Sequence, residues 1–274
     1  MATAQGDGEY RLGNDPAELD RLERQAAILA PATSALLGMA GIRPGMRVLD
    51  LGTGPGDVAL LAADAVAPGG AAVGIDQSPE ALTAARERAA ARGITNVSFI
   101  AGDVCDFHDD EPFDAVVGRL VLGHTPDPVA VIGHHAASLP AGGIVLAMEY
   151  DIPATRAVPH CPATYTATRW VVDAFERAGL DPLLGPRLGA MLRAAGFDHV
   201  STIGIQPYLP PDAGAGMLAG IVRPLLPLIE QTGVTAAEVD IATLEVRLAT
   251  EMRDHDAVLA YPTLAGAWAQ TNED

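Results

Sequence analysis

Between residues 43 and 151 short apolar runs alternate with longer segments whose apolar positions recur every three or four residues, a strand-and-helix alternation. After Arg43-Pro44-Gly45 the run 46–51 reads as a strand, a glycine-rich turn follows, and 58–66 has helical composition. The pattern repeats with a strand at 71–75, a helix opened by Ser78-Pro79 and reaching about Arg92, and strands at 97–100, 113–117 and 144–148. Between the last two, Asp127-Pro128 caps a helix whose inner face is predicted to be Val129, Ile132, Ala136 and Leu139. Upstream, Asp15, Pro16 and Glu18 mark the start of a helix over 16–30 with Leu19, Leu22, Ala26 and Leu29 on one face. Helices alternating with strands imply right-handed crossovers and a parallel sheet covered on both faces. The predicted fold is a doubly wound, Rossmann-like α/β sheet, with ligands expected beyond the carboxyl ends of its strands.

Beyond residue 150 the alternation changes. Helices are predicted around 168–178 and 187–195, then a strand over 199–206. The turn-rich Pro207-Tyr208-Leu209-Pro210-Pro211 leads into a helix containing Pro224 and Pro227. Thr235-Ala236-Ala237-Glu238 forms a capping box ahead of one further helix with Ile241, Leu244, Leu248 and Met252 on one face. A late strand at 257–261 or 263–268, pairing antiparallel with 199–206, would make 207–256 a helical lid inserted between the last two of seven strands. The expected organisation is an N-terminal helical segment (1–42), a core (43–206), the insertion (207–256), and the last strand with its tail (257–274).

The chain of 274 residues is 49% hydrophobic and 19% charged, a globular composition. Its 17 basic residues, all Arg, face 35 acidic ones, a net charge of −18. Phosphate backbones and anionic membranes repel such a chain, so neither nucleic acid nor membrane is expected as a partner. Without Lys, Schiff-base chemistry and a phosphate-loop lysine are excluded. Cys105 and Cys161 build no disulfide framework, the first thirty residues show no signal peptide, and the apolar runs are shorter than the roughly 18 residues of a membrane helix. A reduced, cytoplasmic protein is the expectation.

Three segments carry candidate chemistry. In Val48-Leu49-Asp50-Leu51-Gly52-Thr53-Gly54-Pro55-Gly56-Asp57 a strand feeds a turn with glycines at alternate positions, which lets backbone approach a ligand near a helix N-terminus. The sixth position of a dinucleotide fingerprint would be Asp57, which disfavours a pyrophosphate and a nicotinamide enzyme. Asp76 ends the next strand, where a carboxylate accepts both hydroxyls of a ribose or simply precedes a helix. Gly102-Asp103-Val104 follows the third strand, where a carboxylate can accept an adenine amino group and the next N–H reach a ring nitrogen.

Together these three elements resemble the class I S-adenosylmethionine-dependent methyltransferases, from about Gly41 to Asp151. The resemblance implies that Gly52, Gly54 and Gly56 face the methionine end of S-adenosylmethionine, that Asp76 holds its ribose, that Asp103 and Val104 read adenine, and that Gln77 and Val104 lie along the ring. The segment from Phe113 to His124 with Arg119, and the opening Tyr10-Arg11-Leu12-Gly13 with Arg21 and Gln25 on the next helix, resemble the bacterial quinone and natural-product branch. By that resemblance Tyr10, Arg21, Gln25 and Arg119 are cofactor-side candidates; Arg21 either pairs with the methionine carboxylate or joins Gln25 on a solvated helix face. His124, after the fourth strand, is the candidate general base, and Glu149, with Tyr150 and Asp151 at the end of the fifth, is a second catalytic candidate. Metal is not expected, since Arg119 and Glu149-Tyr150-Asp151 depart from the catechol-type magnesium pattern. The acceptor would be a small, partly apolar metabolite methylated on O, N or C, selected by 152–167, Trp170, Phe175, Tyr208, Met217, Leu218, Ile221 and Leu225. The alternative is a protein of this fold that binds S-adenosylmethionine but cyclises or isomerises its substrate, or serves as a binding module; a homodimer is compatible with either.

Overall fold

The computed structural model describes residues 16–272, with side chains from residue 24 onward. Its central sheet contains β1 (Arg47–Leu51), β2 (Ala71–Asp76), β3 (Val97–Ala101), β4 (Ala115–Arg119), β5 (Ile144–Asp151), β7 (Val200–Ile205) and β10 (Thr263–Gln270). The order is β3-β2-β1-β4-β5-β10-β7, with β10 antiparallel to both neighbours and the other pairings parallel. Strand order reverses between β1 and β4, so the crevice above their carboxyl ends is where a ligand is expected.

The two faces of the sheet are sorted by residue parity. Along β5, Ile144, Leu146 and Met148 enter the core beneath α1 (Pro16–Ala40) and α2 (Asp57–Val66), while Val145 and Ala147 meet α4 (Pro128–Ala136) and α6 (Leu184–Ala194) on the other face. A third cluster fills the space between α2, α3 (Pro79–Arg92) and β3, around Leu60, Leu82 and Phe99. Helix α1 runs ten residues beyond its predicted end and passes through Pro31. An interior proline costs about 3 kcal/mol, and burial of Leu29, Ala32, Leu36, Leu37 and Ala40 offsets that cost.

Between β5 and β10 lies a second body. Strands β6 (Arg156–Val158), β8 (Tyr208–Leu209) and β9 (Val258–Ala260) form a small antiparallel sheet with β9 in the middle. Helix α5 (Pro162–Arg177) packs on α7 (Pro211–Glu230), which packs on α9 (Ile241–Asp254). Segment 152–167, expected to help select the acceptor, thus holds β6 and the first six residues of α5, and both late strands exist, one in each sheet. The capping box forms as expected, Thr235 N donating to Glu238 Oε2 at 2.8 Å and Glu238 N to Thr235 Oγ1 at 3.2 Å. It opens only the four-residue α8 (Ala236–Val239), because Asp240 at φ 43° breaks the chain before α9; the single expected helix is two. Helix α7 is long and apolar enough to cross a membrane by length and composition, at mean hydropathy 1.3, although Arg223, Pro224 and Pro227 interrupt its apolar run. Its buried residues Ala215, Met217, Leu218, Ala219 and Val222 pack it as a core helix.

Candidate active site

The turn between β1 and α2 adopts left-handed backbone at Gly52, Gly54 and Gly56. Two of these glycines answer different needs. A Cβ at Gly52 would lie 2.5 Å from Val121, so this position is closed by the segment after β4; at Gly54 it would meet nothing within 4 Å among the described residues, so the turn presents open backbone to them there. Asp76 holds the turn from the neighbouring strand: Gly54 N donates to its Oδ2 at 2.8 Å and Ser78 N to its Oδ1 at 2.9 Å. The Asp76 carbonyl accepts from Gly102 N at 3.1 Å, so the glycine turn, the acid after β2 and the start of Gly102-Asp103-Val104 form one hydrogen-bonded series. A carboxylate has about four acceptor positions, so two backbone donors leave Asp76 able to accept hydroxyls. Gln77 and Asp103 are exposed and Val104 is half-buried.

Beneath the turn lies a charged cluster that sequence reading missed. Asp50, in the apolar run of β1, is buried, and among the described residues neither its carboxylate oxygens nor the Thr53 hydroxyl reach a partner at hydrogen-bond geometry. Burial pushes its pKa up to about 7; nearby Thr53, Arg119 and the Ala59 backbone oppose this, and Asp57 adds to it. Asp57 is bridged by Arg88 at 2.6 Å and Arg119 at 3.5 Å. Arg119 also donates to Thr33 Oγ1 at 2.9 Å, tying β4 to α1, and its side chain is only 8% exposed. The signal for this cluster was an acidic residue inside a strand that is otherwise apolar.

At the carboxyl end of β4, Leu120 takes φ 58°, a conformation that costs a non-glycine residue energy and persists where the surroundings hold it. Glu149 does the holding. Its Oε1 accepts from Leu122 N at 2.8 Å, and the Gly123 and Val121 backbones also favour its charged form, while dominant burial raises its pKa to about 7. Only 6% exposed, it lies under the loop. His124 closes that loop in an exposed position, and partial desolvation lowers its pKa. On α4 and just beyond it the expected Ile132 is buried and Ala136 and Leu139 pack half-buried against the same core, while Val131 and His135 are buried with them and Val129 does not join.

Gln25 is half-buried on α1; Tyr10 and the Arg21 side chain lie outside the described residues. Of the acceptor-side residues, Met217 and Leu218 are buried core, Trp170, Phe175, Ile221 and Leu225 are half-buried, and Tyr208 is 62% exposed.

Residues 42–174 match the methyltransferase-domain family. Among curated relatives, the nocamycin O-methyltransferase of Saccharothrix syringae is 35% identical over 186 residues, covering 62% of this chain and 65% of that one. The chain spans 60% and 65% of the lengths of the first two curated relatives it matches. Among solved structures, YcgJ from Bacillus subtilis aligns at TM-score 0.56 and 18% identity over 89% of this chain and all of its own. The [4+2]-cyclase SpnF aligns at TM-score 0.53 and 20% identity over 89% of this chain and 82% of its own. At these identities both structures share the fold.

Proposed function

We propose that the chain, whose residues 42–174 match the methyltransferase-domain family, is a class I S-adenosylmethionine-dependent methyltransferase that transfers a methyl group to an O, N or C atom of a small, partly apolar metabolite. The observation that carries the reading is the hydrogen-bonded series Gly54, Asp76, Gly102, which gathers the three candidate cofactor segments at the carboxyl ends of β1, β2 and β3. The residues present fit the cofactor: open backbone at Gly54 admits a close ligand, and Asp50 and Thr53 are buried polar groups that an arriving ammonium would satisfy. Bound S-adenosylmethionine supplies an electrophilic methyl group on a sulfonium.

In this reading Asp76 holds the ribose hydroxyls, and Asp103 with the Val104 N–H holds adenine. Arg119, engaged by Asp57 and Thr33, keeps α1 against the glycine turn. The lowered pKa of His124 leaves its imidazole neutral near pH 7, ready to take a proton from an O or N nucleophile. Glu149 acts through the loop it holds and is a positioning residue. The half-buried faces of α5 and α7, with Trp170, Phe175, Ile221 and Leu225, line the acceptor side and exclude water, so positioning supplies much of the catalysis. The 35% identity to the nocamycin O-methyltransferase supports a hydroxylated product of secondary metabolism as acceptor.

Methyl-labelled S-adenosylmethionine, incubated with the protein and a panel of hydroxylated apolar metabolites, tests this. Label is expected in an acceptor; conversion of an acceptor without uptake of label would replace methyl transfer with cyclisation or isomerisation.

A further inference from the structure

Two adjacent histidines on α4 both end on the turn that follows β3. His135 Nε2 lies 2.8 Å from the Val104 carbonyl oxygen, and His134 Nε2 lies 3.1 Å from that of Phe107. Their rings meet edge to face, 4.9 Å between centroids. At the other end of the Val104–Cys105 peptide, Cys105 N–H donates to Asp103 Oδ1 at 2.8 Å. One peptide unit is therefore held at both ends, its carbonyl by a buried imidazole and its N–H by the Asp103 carboxylate. Because that unit is a rigid plane, fixing the carbonyl fixes the direction of the N–H and of the carboxylate bound to it. The turn is tight elsewhere too: Phe107 N donates to the Asp103 carbonyl at 2.9 Å, and the Phe107 ring lies where a Cβ on Gly102 would be, at 2.7 Å.

His135 is 2% exposed, and its ring nitrogen faces a group that only accepts. Nε2 must therefore carry the proton. Desolvation, the largest influence, lowers its pKa, with His134 acting in the same direction and the Val104 carbonyl opposing, so the neutral Nε2–H tautomer is the form present near neutral pH.

The geometry points to His135 as a positioning residue for purine recognition: by pinning the Val104–Cys105 peptide it orients the Asp103 carboxylate toward a 6-amino purine, while His134 anchors the far end of the turn. This rests on Asp103 and Val104 receiving the adenine ring. Its consequence is discrimination. A 6-oxo purine would set a second acceptor against the held carboxylate, whereas a loosened carboxylate can turn away.

Calorimetric titrations of the full chain with S-adenosylhomocysteine and S-inosylhomocysteine test it, on the wild type, His135→Leu and His135→Gln, the last retaining an N–H donor where Nε2 stood. The wild type should prefer the adenosyl ligand. In His135→Leu that affinity should fall about tenfold, as for one lost hydrogen bond to a held carbonyl, with little change for the inosyl ligand; His135→Gln should restore most of the preference. Nitrogen NMR of the wild-type imidazole should show protonated Nε2 in either case of variant folding. An unchanged preference in His135→Leu, or a protonated Nδ1 with bare Nε2 in the wild type, would overturn the positioning role alone. A wild type that binds neither nucleoside would overturn the cofactor reading, and this role with it.

Discussion

Asp50 shows what a single residue contributes that spacing does not announce. The glycines, Asp76 and Asp103 were legible because strand, turn and acid recur at set places in a chain of alternating elements. Asp50 was passed over inside an apolar run, and Arg88 and Arg119, which bridge the adjacent Asp57, come from α3 and β4. Only the fold brings them beneath one turn. The buried carboxyl has a consequence for stability. An unfolded aspartate loses its proton near pH 4, whereas folded Asp50 keeps it to about 7. Between those values the folded state binds more protons, so stability falls as pH rises across that window and levels off above it. Asp50→Asn cannot titrate. In urea unfolding it should lose about 2–3 kcal/mol less than the wild type between about pH 5 and pH 8, the difference expected for one such carboxyl; parallel losses in the two proteins would contradict the burial argument.

At the scale of elements, periodicity located the five strands and the helices that cover them, because each buries one regular face. It failed where the chain's partners are distant. β6, β8 and β9 are two or three residues long, and what makes them strands is pairing across some 50 to 100 residues. The extension of α1 through Pro31 is likewise decided by burial, and the break at Asp240 by one backbone angle. The β1–α2 turn allows a test that separates folding from binding. Gly54→Ala meets no neighbour among the described residues and bears the cost of left-handed backbone, about 1–2 kcal/mol. It should fold while its Cβ projects into the ligand's approach and binding of S-adenosylhomocysteine is lost. Gly52→Ala drives a Cβ into Val121 and should lower the thermal midpoint more than Gly54→Ala does. The reverse order of stabilities would show that the turn packs otherwise.

For the whole molecule, the alternation of strands and helices foretold a doubly wound sheet, and the observed order with antiparallel β10 agrees. A net charge of −18 without Lys led to the expectation of no polyanionic partner, and the structure gives part of that acidity a place: Asp76 and Asp103 at the rim, Asp50 and Glu149 beneath it. What sequence could not convey is that the acids beneath the rim carry raised pKa values and that Glu149 holds a backbone loop. The central claim is that the Gly54, Asp76, Gly102 series is the seat of S-adenosylmethionine. Calorimetric titration with S-adenosylhomocysteine, run against NAD on the wild type, Asp76→Ala and His124→Ala, tests it most directly. Tight binding of S-adenosylhomocysteine alone is expected, weakened at least about tenfold by Asp76→Ala, which removes a charged acceptor, and little changed by His124→Ala. Binding of NAD without S-adenosylhomocysteine, or equal losses in the two variants, would contradict it.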